Sequence, residues 1–285
     1  MAGHSRLKDG VASARLCPAI HVFAPSPRKD VDARVKPGHD GCETHLRDAV
    51  GAGSECRMTS PRTLVFDLDG TLVDTAPDLI GALNHVLARE GIAPVPLAKA
   101  RNMIGAGARK LIERGLELED RAMSVDDINR LMKDFVAYYA EHIADESRPF
   151  EGLETALDQL EAQGFRFAVC TNKLEWLSKL LLDRLDLSKR FAAICGADTF
   201  GVSKPDPVIL QQTLARAGAS LSGAIMVGDA GPDVGVARRA GIPVIGVEFG
   251  YTDIPIAELK PDRLIGHFRE LPAAVNSLIG TAIPS

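Results

Sequence analysis

Long apolar runs are missing from this chain of 285 residues. No stretch approaches the roughly 20 consecutive apolar positions needed to cross a bilayer. No charged head, apolar run and small-residue cleavage site opens the sequence either. The expectation is a soluble, cytoplasmic protein without a membrane partner. Cysteine is sparse: Cys17, Cys42, Cys56, Cys170 and Cys195 form no Cys-x-x-Cys pair and no regular framework. Cys170 and Cys195 fall in apolar runs and read as buried free thiols. His4, His21, His39 and His45 match no zinc-ligand spacing. Only His85, His142 and His267 come after them, which argues against a histidine-based catalytic triad. Basic residues are outnumbered, 33 against 38 acidic, for a net charge of −5. That balance argues against a broad nucleic-acid surface. No internal repeat is present.

What the chain does contain is material for a core. Apolar residues make up 46% and charged residues 25%, and the length fits one or two domains. Residues 1–57 stand apart. They mix Pro, Gly, Arg and Asp without a sustained apolar period, and carry nine Lys+Arg against seven Asp+Glu. Such a segment cannot bury enough apolar surface to offset its ordering entropy. The expectation is a disordered tail, or a non-native extension upstream of a start at Met58.

From residue 63 strand and helix signals alternate. Short apolar strands are expected at 63–66, 165–170, 191–196, 224–227, 243–247 and 263–265. Helices are expected at 76–90, 97–117, 124–145, 153–163, 174–185, 207–217, 234–240 and 268–279. Alternation implies crossover units, a parallel sheet covered on both faces, and a site at the carboxyl ends of the strands. No strand signal interrupts 76–148. The expected organisation is an α/β core built from 60–75 and 149–281, with 76–148 inserted as an all-helical cap.

The polar residues of interest all come directly after apolar strands. Asp67 and Asp69 leave the first strand, and Gly70 permits a turn that aims both carboxylates at one small volume. Close carboxylates repel unless a cation sits between them, and oxygen-only ligands suit magnesium. Taken alone, the pair also reads as a solvated turn. Thr171 and Asn172 sit at a strand-to-helix turn, where a hydroxyl and backbone amides bind phosphate oxygens or simply cap the helix. Lys204 lies in Ser203-Lys204-Pro205-Asp206-Pro207, where two prolines stiffen the backbone and hold its ammonium in a defined place. Asp229 and Asp233 leave another apolar strand, although Asp233 also reads as a first-turn helix acid.

In this order the four sites resemble the haloacid dehalogenase superfamily of phosphatases, over residues 60–280. The resemblance implies a Rossmann-like core with a mobile helical cap. It implies Asp67 as nucleophile forming an aspartyl-phosphate, and Asp69 as acid and then base. It implies Mg2+ held by the Asp67 carboxylate, the Asp69 carbonyl and Asp229, supported by Asp233, and phosphoryl oxygens bound by Thr171, Asn172 and Lys204. Ala230 stands where the family commonly has Ser. Three segments (66–79, 226–241 and 249–253, Phe-Gly-Tyr-Thr-Asp) resemble bacterial phosphoglycolate phosphatases more closely. They imply 2-phosphoglycolate as the small phosphorylated partner, in a monomer or homodimer. Arg109 is the cap candidate for meeting the substrate carboxylate. Another small phosphomonoester, such as a sugar phosphate, and a non-catalytic phosphate-binding module are the alternatives. Dehalogenase and phosphonatase activity are disfavoured, because those enzymes lack the second acid that Asp69 supplies.

Overall fold

The computed structural model describes residues 62–280, so the reading of 1–57 lies outside the described residues. The first strand, β1 (Thr63–Phe66), is fully buried. Leu64 and Phe66 join one apolar cluster and Val65 joins another. Successive side chains on a strand point to opposite faces, so an unbroken apolar run means that both faces are covered. Phe66 meets Phe167 edge-on, with centroids 5.9 Å apart.

A two-residue strand, β2 (Val73–Asp74), leads into α1 (Ala76–Arg89). Leu79, Ile80, Leu83, Val86 and Leu87 are buried along one stripe of that helix. Next come α2 (Leu97–Ala100) and α3 (Ala108–Glu117). The expected continuous helix over 97–117 is therefore broken. Gly105 and Gly107 hold φ of +105° and +90°, outside the helical region, so the chain opens into a loop between them. The fourth helix, α4 (Val125–Glu141), starts at Ser124, whose hydroxyl accepts from the Asp127 N–H at 3.1 Å. The segment returns through β3 (Arg148–Pro149), which pairs antiparallel with β2. Buried Asp78 bolts the two crossings together, accepting from the Ser147 N–H at 2.8 Å and the Ser147 hydroxyl at 2.6 Å. A two-residue pair shows no periodicity, which is why no strand signal was visible there.

The remaining chain alternates. It runs α5 (Leu153–Ala162), β4 (Arg166–Cys170), α6 (Glu175–Arg184), β5 (Phe191–Cys195) and α7 (Pro207–Arg216). It continues through β6 (Ala224–Gly228), α8 (Gly231–Ala240), β7 (Val244–Val247), β8 (Arg263–Ile265) and α9 (Leu271–Gly280). The sheet has six strands in the order β5-β4-β1-β6-β7-β8, all parallel. This is a doubly wound Rossmann-type sheet. The chain builds outward from β1 through β4 to β5, then crosses to β6 on the other side. The loops leaving β1 and β6 therefore diverge, and a crevice opens at their carboxyl ends. Among the described residues no helix is long and apolar enough to cross a membrane.

Helices α1 and α3 approach closely where Gly115 faces Leu83 and Leu87; a Cβ there would lie 3.2 Å from each leucine. Leu83 is fully buried at that contact. Leu83→Ala is expected to cost about 2–5 kcal/mol, since a packed interior relaxes only partly around a lost side chain. A urea midpoint shift at constant slope measures it, and no shift would mean that the α1–α3 contact contributes nothing.

Candidate active site

Side chains from the loops that leave β1, β4, β5 and β6 line the crevice. Asp67 continues β1 and donates its N–H to the Val227 carbonyl at 2.9 Å, which fixes it beside β6. The chain then curls, with Leu72 and Val73 both donating to the Leu68 carbonyl at 3.1 Å. Gly70 sits at φ +82° in this curl, and a Cβ there would lie 2.5 Å from Asp229 Oδ2. No larger residue fits without displacing that carboxylate.

Asp67, Asp229 and Asp233 place carboxylate oxygens within 4.8 Å of one another, all buried. Asp229 is held at both oxygens. Thr71 Oγ1 donates to Oδ1 at 3.0 Å, and the Tyr251 N–H donates to Oδ2 at 2.6 Å. Asp233 accepts from the Ala230 N–H at 3.1 Å, so the first turn of α8 fixes its rotamer. Lys204, 4% exposed, is the cation of the cluster. Its Nζ lies 2.6 Å from Asp233 and 2.8 Å from Asp67 Oδ1. Burial alone would lower the Lys204 pKa, but Asp233 and then Asp67 hold it above the usual lysine range. The lysine is itself clamped by Asn172. That side chain accepts from the Lys204 N–H at 2.8 Å and donates to the Lys204 carbonyl at 3.3 Å and the Gly105 carbonyl at 3.4 Å. Thr171 is buried beside it.

The Asp69 carboxylate faces elsewhere. Its Oδ1 accepts from Thr75 Oγ1 at 2.8 Å and from Lys173 Nζ at 2.9 Å. Lys173 also donates to Tyr139 Oη on α4 at 2.8 Å. Burial and the nearby Asp69 charge push the Tyr139 phenol well above its usual range, so it stays neutral. Sequence reasoning missed Lys173, Tyr139, Thr71 and Tyr251. A lysine after Thr-Asn reads as a surface charge, and nothing local marks the others. The Phe-Gly-Tyr-Thr-Asp resemblance was the only pointer to Tyr251. Besides its N–H contact to Asp229, Tyr251 Oη bonds Asp74 Oδ1 and accepts from the Ala76 N–H at 3.1 Å.

A cavity of about 240 Å³ opens over Asp67, Asp69, Thr171 and Lys173. Its walls are apolar, from Leu79, Ile104, Leu111 and Phe135 among others. Arg109 stands exposed on the same cavity, bonded to Asn129 Oδ1. Asp67, Asp69, Thr171 and Asn172 therefore converge on one space. Lys204, Asp229 and Asp233 lie behind it, linked through Asp67.

The acid cluster fits a hard cation. Asp67 Oδ1 is buried and receives no aligned hydrogen bond despite its ion pair with Lys204. Burial, then repulsion from Asp233 and Asp69, pushes the Asp67 pKa up to about 6, against the pull of Lys204. Burial with Asp233 and Asp67 raises Asp229 well above the carboxylate range. Three carboxylates against one ammonium leave uncompensated negative charge, which an oxygen-seeking divalent ion would balance.

Residues 64–247 match the family described as haloacid dehalogenase-like hydrolase. The chain is 45% identical over 208 residues to the phosphoglycolate phosphatase of Mesorhizobium japonicum, covering 73% of this chain and 92% of that one. It is 44% identical over 216 residues to the phosphoglycolate phosphatase of Agrobacterium fabrum, covering 75% and 93%. Among solved structures, a predicted phosphoglycolate phosphatase from Haemophilus somnus 129pt superposes with a TM-score of 0.70. It is 27% identical and spans 76% of this chain and 99% of that chain.

The cation-free cluster has a defined pH signature. Folded-state pKa values raised above the unfolded values mean that the folded chain binds extra protons, so stability falls as pH rises through the interval up to about 6. A bound cation replaces those protons. Adding Mg2+ is expected to raise Tm more at pH 7.5 than at pH 5, and to do little in Asp229→Asn. An equal increment at both pH values, or one retained in Asp229→Asn, would place the cation elsewhere.

Proposed function

Because the chain belongs to the haloacid dehalogenase-like hydrolases and is a phosphatase, we propose that it cleaves 2-phosphoglycolate to glycolate and phosphate through an aspartyl-phosphate on Asp67. The observation that carries this reading is the buried Asp67 carboxylate, which lines the cavity while Lys204 holds its Oδ1 at 2.8 Å. An ionised carboxylate attacks phosphorus without first losing a proton. Lys204, Thr171 and the Asn172 backbone bind the phosphoryl oxygens. Asn172 also keeps Lys204 in place through its side chain.

Asp67, Asp229, Asp233 and the Asp69 carbonyl would hold Mg2+, which reduces repulsion between the anionic nucleophile and the phosphate dianion. Asp69, at the cavity floor, protonates the leaving glycolate oxygen. It then takes a proton from the water that hydrolyses the acyl-phosphate. Helices α1 to α4 act as a cap. They supply the apolar walls that exclude bulk water and, through α4, Tyr139 beside the acid. The curated relatives support the substrate by their names. Ala230 removes only an auxiliary side-chain bond, since Asp233 already accepts from its backbone N–H.

Asp67→Ala and Asp67→Asn are each expected to abolish turnover and the acid-trappable acyl-phosphate while leaving the fold intact; near-normal hydrolysis by Asp67→Ala would sink the nucleophile assignment. A panel of phosphate esters with wild-type protein tests the substrate. A higher kcat/KM for a sugar phosphate than for 2-phosphoglycolate would overturn that part alone.

A further inference from the structure

The proposed substrate carries two anionic ends, and the phosphoryl-binding groups of the site account for one. The geometry points to Lys173 as the receptor for the second: its buried ammonium binds the carboxylate of a phosphorylated small acid. This rests on the phosphatase reading above and specifies its substrate class.

Among the described residues lining the cavity, the cationic ones are Lys173 and Arg109. Their situations differ. Arg109 is exposed at the opening with its guanidinium turned to Asn129. The Lys173 side chain is 5% exposed, at the floor beside the acid. A buried ammonium is costly, and its pairing with a carboxylate seldom repays the whole desolvation. Apolar packing would serve a purely structural purpose at lower cost.

The three donors of the Lys173 ammonium go to both oxygens of Asp69, at 2.9 and 3.2 Å, and to Tyr139 Oη at 2.8 Å. The longest of them, to Asp69 Oδ2, is the one a substrate carboxylate would take over. Around it the walls are apolar, so a charged hydrogen bond offered there is poorly screened.

Reach agrees with this. Asp69 must touch the leaving oxygen, and Lys173 touches Asp69. In 2-phosphoglycolate a single methylene separates the leaving oxygen from the carboxylate. An ammonium one hydrogen bond away from Asp69 is therefore placed for that carboxylate, whereas a rim residue suits a longer ester. Tyr139 also holds the ammonium, with Nζ 4.4 Å from its ring centroid.

The test compares KM for 2-phosphoglycolate with KM for ethyl phosphate, which lacks the carboxylate, in wild type, Lys173→Met and Arg109→Ala. In Lys173→Met the ratio of the two KM values is expected to rise by about tenfold or more, because a lost charge partner penalises only the charged substrate. In Arg109→Ala the ratio is expected to move far less. Losing activity on both esters in equal proportion would mean that Lys173 acts only through Asp69, and would overturn the proposal. So would a ratio that changes in Arg109→Ala instead. A wild-type enzyme with no preference for 2-phosphoglycolate over ethyl phosphate would overturn the substrate assignment itself, which separates the two failures. Should Lys173→Met fold poorly, Lys173→Gln keeps hydrogen-bonding groups toward Asp69 and Tyr139 without the charge, and the same ratio decides.

Discussion

Three like charges share one buried volume, and much of the surrounding structure serves to keep them there. Asp67, Asp229 and Asp233 come from two neighbouring strands and the first turn of the helix between β6 and β7. Left free, their carboxylates would rotate apart. Each is instead tied down. Thr71 and the Tyr251 backbone grip Asp229, the Ala230 N–H grips Asp233, and the β6 edge holds the Asp67 backbone. Lys204 offsets part of the charge from within and is itself held by Asn172. The result is a site that costs folding free energy and concentrates negative charge, a trade that functional sites commonly make.

That constraint explains how far the sequence could be read. Parallel strands covered on both faces are short unbroken apolar runs, so six of them were visible, and each acid stood out because propensity disfavours it there. Asp67 and Asp229 were legible for that reason, and Thr171 by its place at the end of an apolar strand. Lys173 was not. Its meaning depends on Asp69, far away in the chain, and on Tyr139 from a helix whose face cannot be known before packing. Tyr251 was hidden in the same way, since Asp74 and Asp229 reach it from remote segments. Asn172 was legible as a phosphate-binding position, while its side-chain hold on Lys204 is a product of the fold alone. The break between α2 and α3 was foreshadowed by Gly105 and Gly107, but apolar residues continue at helical spacing on both sides and mask it.

Two hydrogen-bonded chains tie the chemistry to the helical segment. One runs from Thr75, just before α1, through Asp69 and Lys173 to Tyr139 on α4. The other runs from Asp229 through Tyr251 to Asp74 and to the first N–H of α1. Arg101 extends the second chain, pairing with Asp74 at 2.9 Å while lying over the Tyr251 ring. Both chains meet the crossing between sheet and helices, at Asp74 and Thr75. A shift of the helical block therefore cannot leave the site unchanged. It must stretch a bond to Asp69 or to a carboxylate of the acid cluster. In the proposed mechanism the sheet and its loops set which bond is broken, through a charge arrangement that serves any phosphate ester. In the proposed reading the helices set which ester is admitted, through the apolar walls they supply beside the Lys173 ammonium. Because that ammonium is also the partner of Asp69, the proposed recognition of the substrate and positioning of the acid fall on the same atom.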